Sequence, residues 1–126
     1  DLLIQQRKPH EALQLALKRI DYMARQQDQS DQVNALRLSI ARDFYMRWLR
    51  DEEEAVTLLN DADRTGLSYN NYLYLLHLIP YARIVKYQKL RSTLRRIFYD
   101  PRYKMFHDER RYNIDPDFEY FASRGL

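Results

Sequence analysis

Helix breakers are almost missing from this chain. Two glycines and four prolines are spread over 126 residues, so long stretches contain nothing that stops regular structure. Leu, Ala, Arg, Gln and Glu are abundant and favour helix, and no Val/Ile/Thr alternation of the kind a strand needs is present. Apolar residues make up 45% of the chain, enough for one core, and the length is that of one domain. The expectation is a single all-α domain over residues 1–126.

Apolar spacing divides the chain into about five main helices. Pro9 suits a first helical position, where its missing N–H would be unpaired anyway. Leu13, Ala16, Leu17, Ile20, Met23 and Ala24 then recur at three and four, the mark of one buried face. Ser30 or Asp31 can cap a second helix running to about Leu49. It has two apolar stripes, Val33/Leu36/Ile40/Phe44 and Leu38/Ala41/Tyr45/Leu49, with Trp48 expected as a packing anchor near its end. Asp51 and Glu54 have capping-box spacing, and Glu52 and Glu53 place negative charge at the positive end of a third helix. Ala55, Leu58, Leu59 and Ala62 form its inner face, and Gly66 ends it. Ser68 caps a fourth helix, Tyr69 to Ile79, after which Pro80 kinks or restarts the chain. From there to Phe98 the pattern is again helical, with Tyr87, Leu90, Leu94, Ile97 and Phe98 on one face, and Pro101 stops it.

Residues 100–126 read as a capping tail. A short turn or helix is expected near 102–107, a loop at Asp115-Pro116 and a last short helix around 117–123. Tyr103, Phe106 and Tyr112 would cover the end of the preceding helix, and Phe118 and Phe121 would seal it.

Charge is unevenly placed. Residues 81–111 hold ten bases and three acids, a surplus of seven in a chain of net charge +3, so the remainder is acidic. Eight of the eleven tyrosines fall in residues 69–112. The basic face over 83–96 is the strongest candidate for function. Lys86, Lys89, Arg91, Arg95 and Arg96 suit an acidic protein surface or a nucleic-acid backbone. Tyr72 and Tyr74 suit a partner groove or the core. The plainer alternatives are a solvated helix face, or pairing with the chain's own acidic half.

Catalytic patterns are missing from the sequence. His10, His77 and His107 are far apart, and none has a second ligand one helical turn away. Consecutive carboxylates at 51–54 point about 100° apart on a helix and do not converge. Ser39, Ser68, Ser92 and Ser123 lack a nucleophile-elbow context, and Gly66 and Gly125 alone cannot make a phosphate loop. Cysteine is absent. A non-enzyme is expected, with no metal and no cofactor. No apolar run approaches the roughly 20 residues needed to span a bilayer, so no membrane contact is expected from this segment, and the cytoplasm is the expected compartment.

One stretch carries a family resemblance. Glu53-Glu54-Ala55-Val56-Thr57-Leu58-Leu59-Asn60-Asp61-Ala62 resembles the second helix of a tetratricopeptide repeat, with Ala55, Leu59 and Ala62 at the pattern's small, large and small positions. Residues 41–50 resemble that repeat's first helix. Asp100-Pro101-Arg102-Tyr103 and the Gly125-Leu126 ending are similar to the way such regions finish. The match is close over 38–66 and looser over 9–99. It departs in the first helix, which lacks an evident small residue, and in a link one residue longer than the 34-residue pattern. The resemblance implies stacked antiparallel helical hairpins over 9–99, closed by the tail. It also implies protein–protein interaction, self-association or contact with another domain, as in the C-terminal part of bacterial multidomain regulators and signalling proteins. A start at Asp1 rather than Met agrees with a fragment of a larger protein. A nucleic-acid-binding helical module using the 83–96 face is the alternative.

Overall fold

A computed structural model describes the backbone of residues 9–25 and 30–109, with side chains from His10 to Phe106 within those ranges. The described residues are helical throughout apart from short connections, with no strand among them. Helix α1 spans Pro9–Ala24 and α2 Ser30–Ile40. Helix α3 spans Glu52–Thr65, α4 Tyr69–Tyr74 and α5 Ile79–Ala82. Helix α6 spans Gln88–Phe98 and α7 Lys104–Glu109.

The second helix does not stay α-helical to Leu49. Beyond Ile40 it widens into a π-helical turn, Ala41–Met46, with Arg47 N donating to Arg42 O at 3.0 Å and Leu49 N to Phe44 O at 2.8 Å. The wider turn changes which residues face inward, so the consecutive side chains Phe44, Tyr45 and Met46 are all buried. The chain then swings outward through Arg50, whose φ is +52°. Trp48 is carried out with it and is 42% exposed, so it does not serve as the expected packing anchor.

Helix α3 follows its sequence signals closely. Asp51 caps it by accepting from Glu54 N at 3.2 Å. The capping box is only half formed, because Asp51 N donates to Tyr45 O at 2.7 Å. Ala55, Leu58, Leu59 and Ala62 are buried. Gly66 ends the helix at φ +91°, where no neighbouring atom would obstruct a Cβ; its backbone angle is what favours glycine there.

The fourth helix is broken. Ser68 caps α4 through Asn71 N at 3.3 Å, but the chain tightens into a 3₁₀ turn at Leu75–Leu78 before α5. Pro80 lacks an N–H and its ring crowds the preceding turn, so a continuous α-helix is disfavoured there. The helix expected from Pro80 to Phe98 is also interrupted, by a turn over residues 83–87. Helix α6 then buries Leu90, Leu94, Ile97 and Phe98, with Tyr87 just before it.

Long-range polar contacts fix how the helices lie. Asn34, near the start of α2, donates to Thr65 Oγ1 at 2.8 Å and to Gly66 O at 3.1 Å. The start of α2 therefore meets the end of α3, and the two run antiparallel. Glu52 accepts from Leu90 N at 2.9 Å and Glu53 from Lys89 Nζ at 2.6 Å. At the other end Asp63 accepts from Arg96 Nη1 at 3.1 Å. Contacts thus advance together along α3 and α6, which run parallel.

Asp63 is the meeting point of α3, α6 and the tail. Its buried carboxylate also accepts from Arg102 Nη2 at 2.7 Å and from Tyr103 Oη at 2.9 Å. Tyr103 Oη in turn accepts from Leu67 N at 3.1 Å. Tyr103 and Phe106 lie against Tyr72, both with ring centroids 5.6 Å away. Tyr103 and Phe106 therefore cover the core as the sequence leads one to expect. Tyr112, Phe118, Phe121 and the last short helix at 117–123 lie outside the described residues.

Two outcomes follow from this hub. Asp63→Ala removes the buried acceptor of Tyr103 and one acceptor each from Arg96 and Arg102, which keep Asn60 and Asp100, and is expected to lower unfolding free energy by about 2 kcal/mol, measured by urea denaturation. Burial, with the Asp63 carboxylate beside it, pushes the Tyr103 phenol up to about 12. The folded chain keeps this proton above the ordinary phenol value of about 10, while the unfolded chain loses it. The stability it contributes is therefore complete below about pH 10 and is lost as pH rises towards about 12. In Tyr103→Phe, stability across that window is expected to fall less steeply than in the parent, read from denaturant midpoints.

Candidate functional site

The basic, tyrosine-rich face expected from the sequence is divided by the fold into four environments. Two of its residues belong to the interior. Tyr72 is 0% exposed, with its hydroxyl donating to Phe98 O at 3.1 Å and its ring edge-on to Phe98 at 5.3 Å. Arg91 is 4% exposed. Its guanidinium donates to Ala82 O and Ile84 O at 3.1 Å each and to Val85 O at 3.4 Å. Neither can be a partner-binding residue. Tyr72 packs beneath the tail, and Arg91 ties the end of α5 to the 83–87 turn, sharing Ile84 O with the Tyr87 N–H. Burial pushes the Arg91 pKa down, yet the group stays charged at any ordinary pH.

Two more bases are engaged by α3. Lys89 pairs with Glu53, and the hydrogen bond between them lowers the Glu53 pKa and raises that of Lys89. Arg96 reaches both Asp63 and the Asn60 side chain. The chain's acidic half thus takes up part of its basic half, one of the plainer alternatives raised by the charge distribution.

Lys86 and Arg95 remain on the exposed side. Lys86 Nζ lies over the Tyr87 ring, 5.1 Å from its centroid. Arg95 lines an open hollow of ≈ 580 Å³ with Arg96, Tyr99, Asp100 and Pro101. The hollow's cationic character is reduced because Arg96 is tied to Asp63 and because Asp100 lies beside it.

Tyr74 belongs to a separate polar cluster where the end of α2 and the π-helical turn meet α4. Arg42 sits over its ring at 5.2 Å and His77 packs beside it at 4.9 Å. Arg42 Nε donates to Asp43 Oδ1 at 2.7 Å, and Ser39 Oγ to Asp43 Oδ2 at 3.3 Å. Burial raises the Tyr74 phenol pKa, with Arg42 opposing the shift. Because the guanidinium is already paired with a carboxylate, the cluster ties helices together more readily than it receives an anion.

A more apolar surface lies elsewhere. A groove of ≈ 1300 Å³ runs between α1 and α2. From α1 it takes Ala12, Leu15, Ala16, Tyr22 and Met23, and from α2 Ala35, Leu36 and Ser39. Leu15 is 58% and Tyr22 67% exposed. Its sequence signal is partial: Leu15 and Tyr22 fall outside the single α1 face read from the apolar spacing, whereas Ala16 and Met23 belong to that face.

Among the described residues no group of three His, Asp or Glu side chains is arranged to hold a metal ion, and no helix is long and apolar enough to cross a membrane. No known protein family, curated protein or solved structure matches the chain.

Arg91→Met keeps most of the side-chain volume but removes the donors that hold three carbonyls. It is expected to cost about 2 kcal/mol of stability and to raise amide hydrogen exchange selectively over residues 83–87.

Proposed function

We propose that this chain is a non-catalytic interaction module that binds a protein partner, or another domain of a larger polypeptide, along the α1–α2 groove. The supporting observation is the groove itself, where neighbouring apolar side chains of α1 and α2 line one exposed channel. Contiguous apolar surface of this kind marks sites of association. On this reading binding lies on the N-terminal helices rather than on the basic 83–96 face.

A tetratricopeptide-like arrangement of stacked hairpins is part of the same reading. It is supported by the antiparallel run of α2 and α3 and the parallel run of α3 and α6. Asp31 at the start of α2 also accepts from Asn71 near the start of α4, at 2.8 Å. Contacts of this kind join residues 33 to 40 positions apart, as a repeated unit laid beside its successor would. The resemblance extends the proposal to a relay segment of a cytoplasmic bacterial regulator, including one that controls transcription.

The test uses the full chain and a fluorescent, stapled amphipathic helix with a Leu/Ala stripe and uncharged Gln flanks. Saturable binding is expected, lost in Tyr22→Glu/Leu36→Glu and kept in Lys86→Glu/Arg95→Glu. Tight binding of a labelled oligonucleotide at physiological salt, weakening steeply as salt rises and lost in Lys86→Glu/Arg95→Glu, would favour the nucleic-acid alternative.

A further inference from the structure

The groove has a length, a floor and a charge, and together they describe its occupant. On α1 its apolar lining runs from Ala12 to Met23, about 16 Å at the rise of an α-helix. On α2 the lining residues Gln32, Ala35, Leu36 and Ser39 recur at three and four, so they form one helical stripe of about two turns. Two such stripes side by side make a trough suited to a third helix, which would pack into both at once. Small side chains line both walls, Ala12 and Ala16 on α1 and Ala35 and Ser39 on α2. They allow a helix backbone to approach closely, whereas the larger Leu15, Tyr22, Met23 and Leu36 can flank it.

The charge is one-sided. Among the described residues the groove's charged lining consists of Lys18 and Arg19, adjacent on α1 and both exposed. No carboxylate lines the groove among those residues. The α2 wall offers only the neutral polar groups of Gln32 and Ser39.

We infer that the α1–α2 groove receives an amphipathic helix of about three turns whose apolar stripe fills the trough and whose α1-facing flank is acidic. The inference rests on the reading of the chain as an interaction module and specifies the chemistry of what it binds. Apolar burial supplies the affinity, and Lys18 and Arg19 select among helices of equal apolar content by pairing with Glu or Asp on one flank. A basic helix of the same shape would bring like charges together along α1.

Three stapled helices with the same Leu/Ala stripe, differing only in Glu, Gln or Lys on one flank, test this by fluorescence anisotropy against the full chain. The Glu helix is expected to bind about fivefold more tightly than the Gln helix, as one or two solvent-exposed ion pairs would give, and the Lys helix most weakly. Lys18→Glu/Arg19→Glu is expected to reverse that order and make the Lys helix the tightest. Circular dichroism checks that the doubly substituted chain is folded, and Lys18→Gln/Arg19→Gln, expected to abolish the preference, serves if it is not. Equal binding of all three helices, or an order unchanged by charge reversal, overturns the acidic-flank inference while leaving the interaction module standing. Failure of every helix to bind removes the module reading as well.

Discussion

Asp63 is the contact on which the arrangement of the C-terminal half depends. It lies in the last turns of α3, where its carboxylate is shielded from water and its backbone carbonyl accepts from the capping Gly66 N–H at 3.0 Å. A buried carboxylate needs partners, and it draws them from two later parts of the chain. Arg96 comes from α6, and Arg102 and Tyr103 come from the turn after it. Arg102 also donates to the Asp63 carbonyl at 3.0 Å. One residue thereby sets how far α6 extends along α3 and where the tail turns back over the Tyr72 ring. The apolar faces around it supply most of the stabilisation but little direction, because a greasy surface accepts many placements.

The basic segment illustrates how charge counts mislead when read without a fold. A surplus of seven charges in 31 residues reads as an electrostatic face. Arg91 is consumed in holding a turn, Lys89 and Arg96 in joining α6 to α3, and Arg102 in the Asp63 hub. What is left for a partner on that side is a rim. The α1–α2 groove carries only two bases among its described residues, and its main signature is apolar.

Much of the fold was legible because its determinants are local. Asp51, Ser68 and Gly66 act within one turn of where they stand, and each sets the helix boundary its residue type predicts. The inward faces of α3 and α6 were legible for the same reason. Trp48, the π-helical turn and the 83–87 break were not. Their causes lie in hydrogen bonds that skip an extra residue or reach back from Arg91 to Ala82, and apolar periodicity carries no trace of either. Arg91 was not legible as a buried residue because residue type alone favours an exposed arginine, while Tyr72, for which groove and core stood open, lies in the core. The groove was legible only in Leu15 and Tyr22, which fall outside the α1 face read from the sequence, because apolar spacing does not say which side chains a neighbour covers.

Glu52 has a consequence for the direction of α6. Its carboxylate sits where α3 begins and accepts from the Leu90 N–H, in the first turn of α6. One anion therefore serves the N-termini of two parallel helices, whose aligned dipoles repel each other side by side. Turning α6 end for end would still leave Lys89 and Arg96 opposite acids, so the ion pairs cannot choose between the two orientations. Glu52 can, since reversal would bring it the unsatisfied carbonyls of a helix C-terminus in place of free N–H groups. Glu52 at one end, and the Arg102 and Tyr103 contacts to Asp63 at the other, thus give the α3–α6 pair its polarity, while the ion pairs of Lys89 and Arg96 set its register.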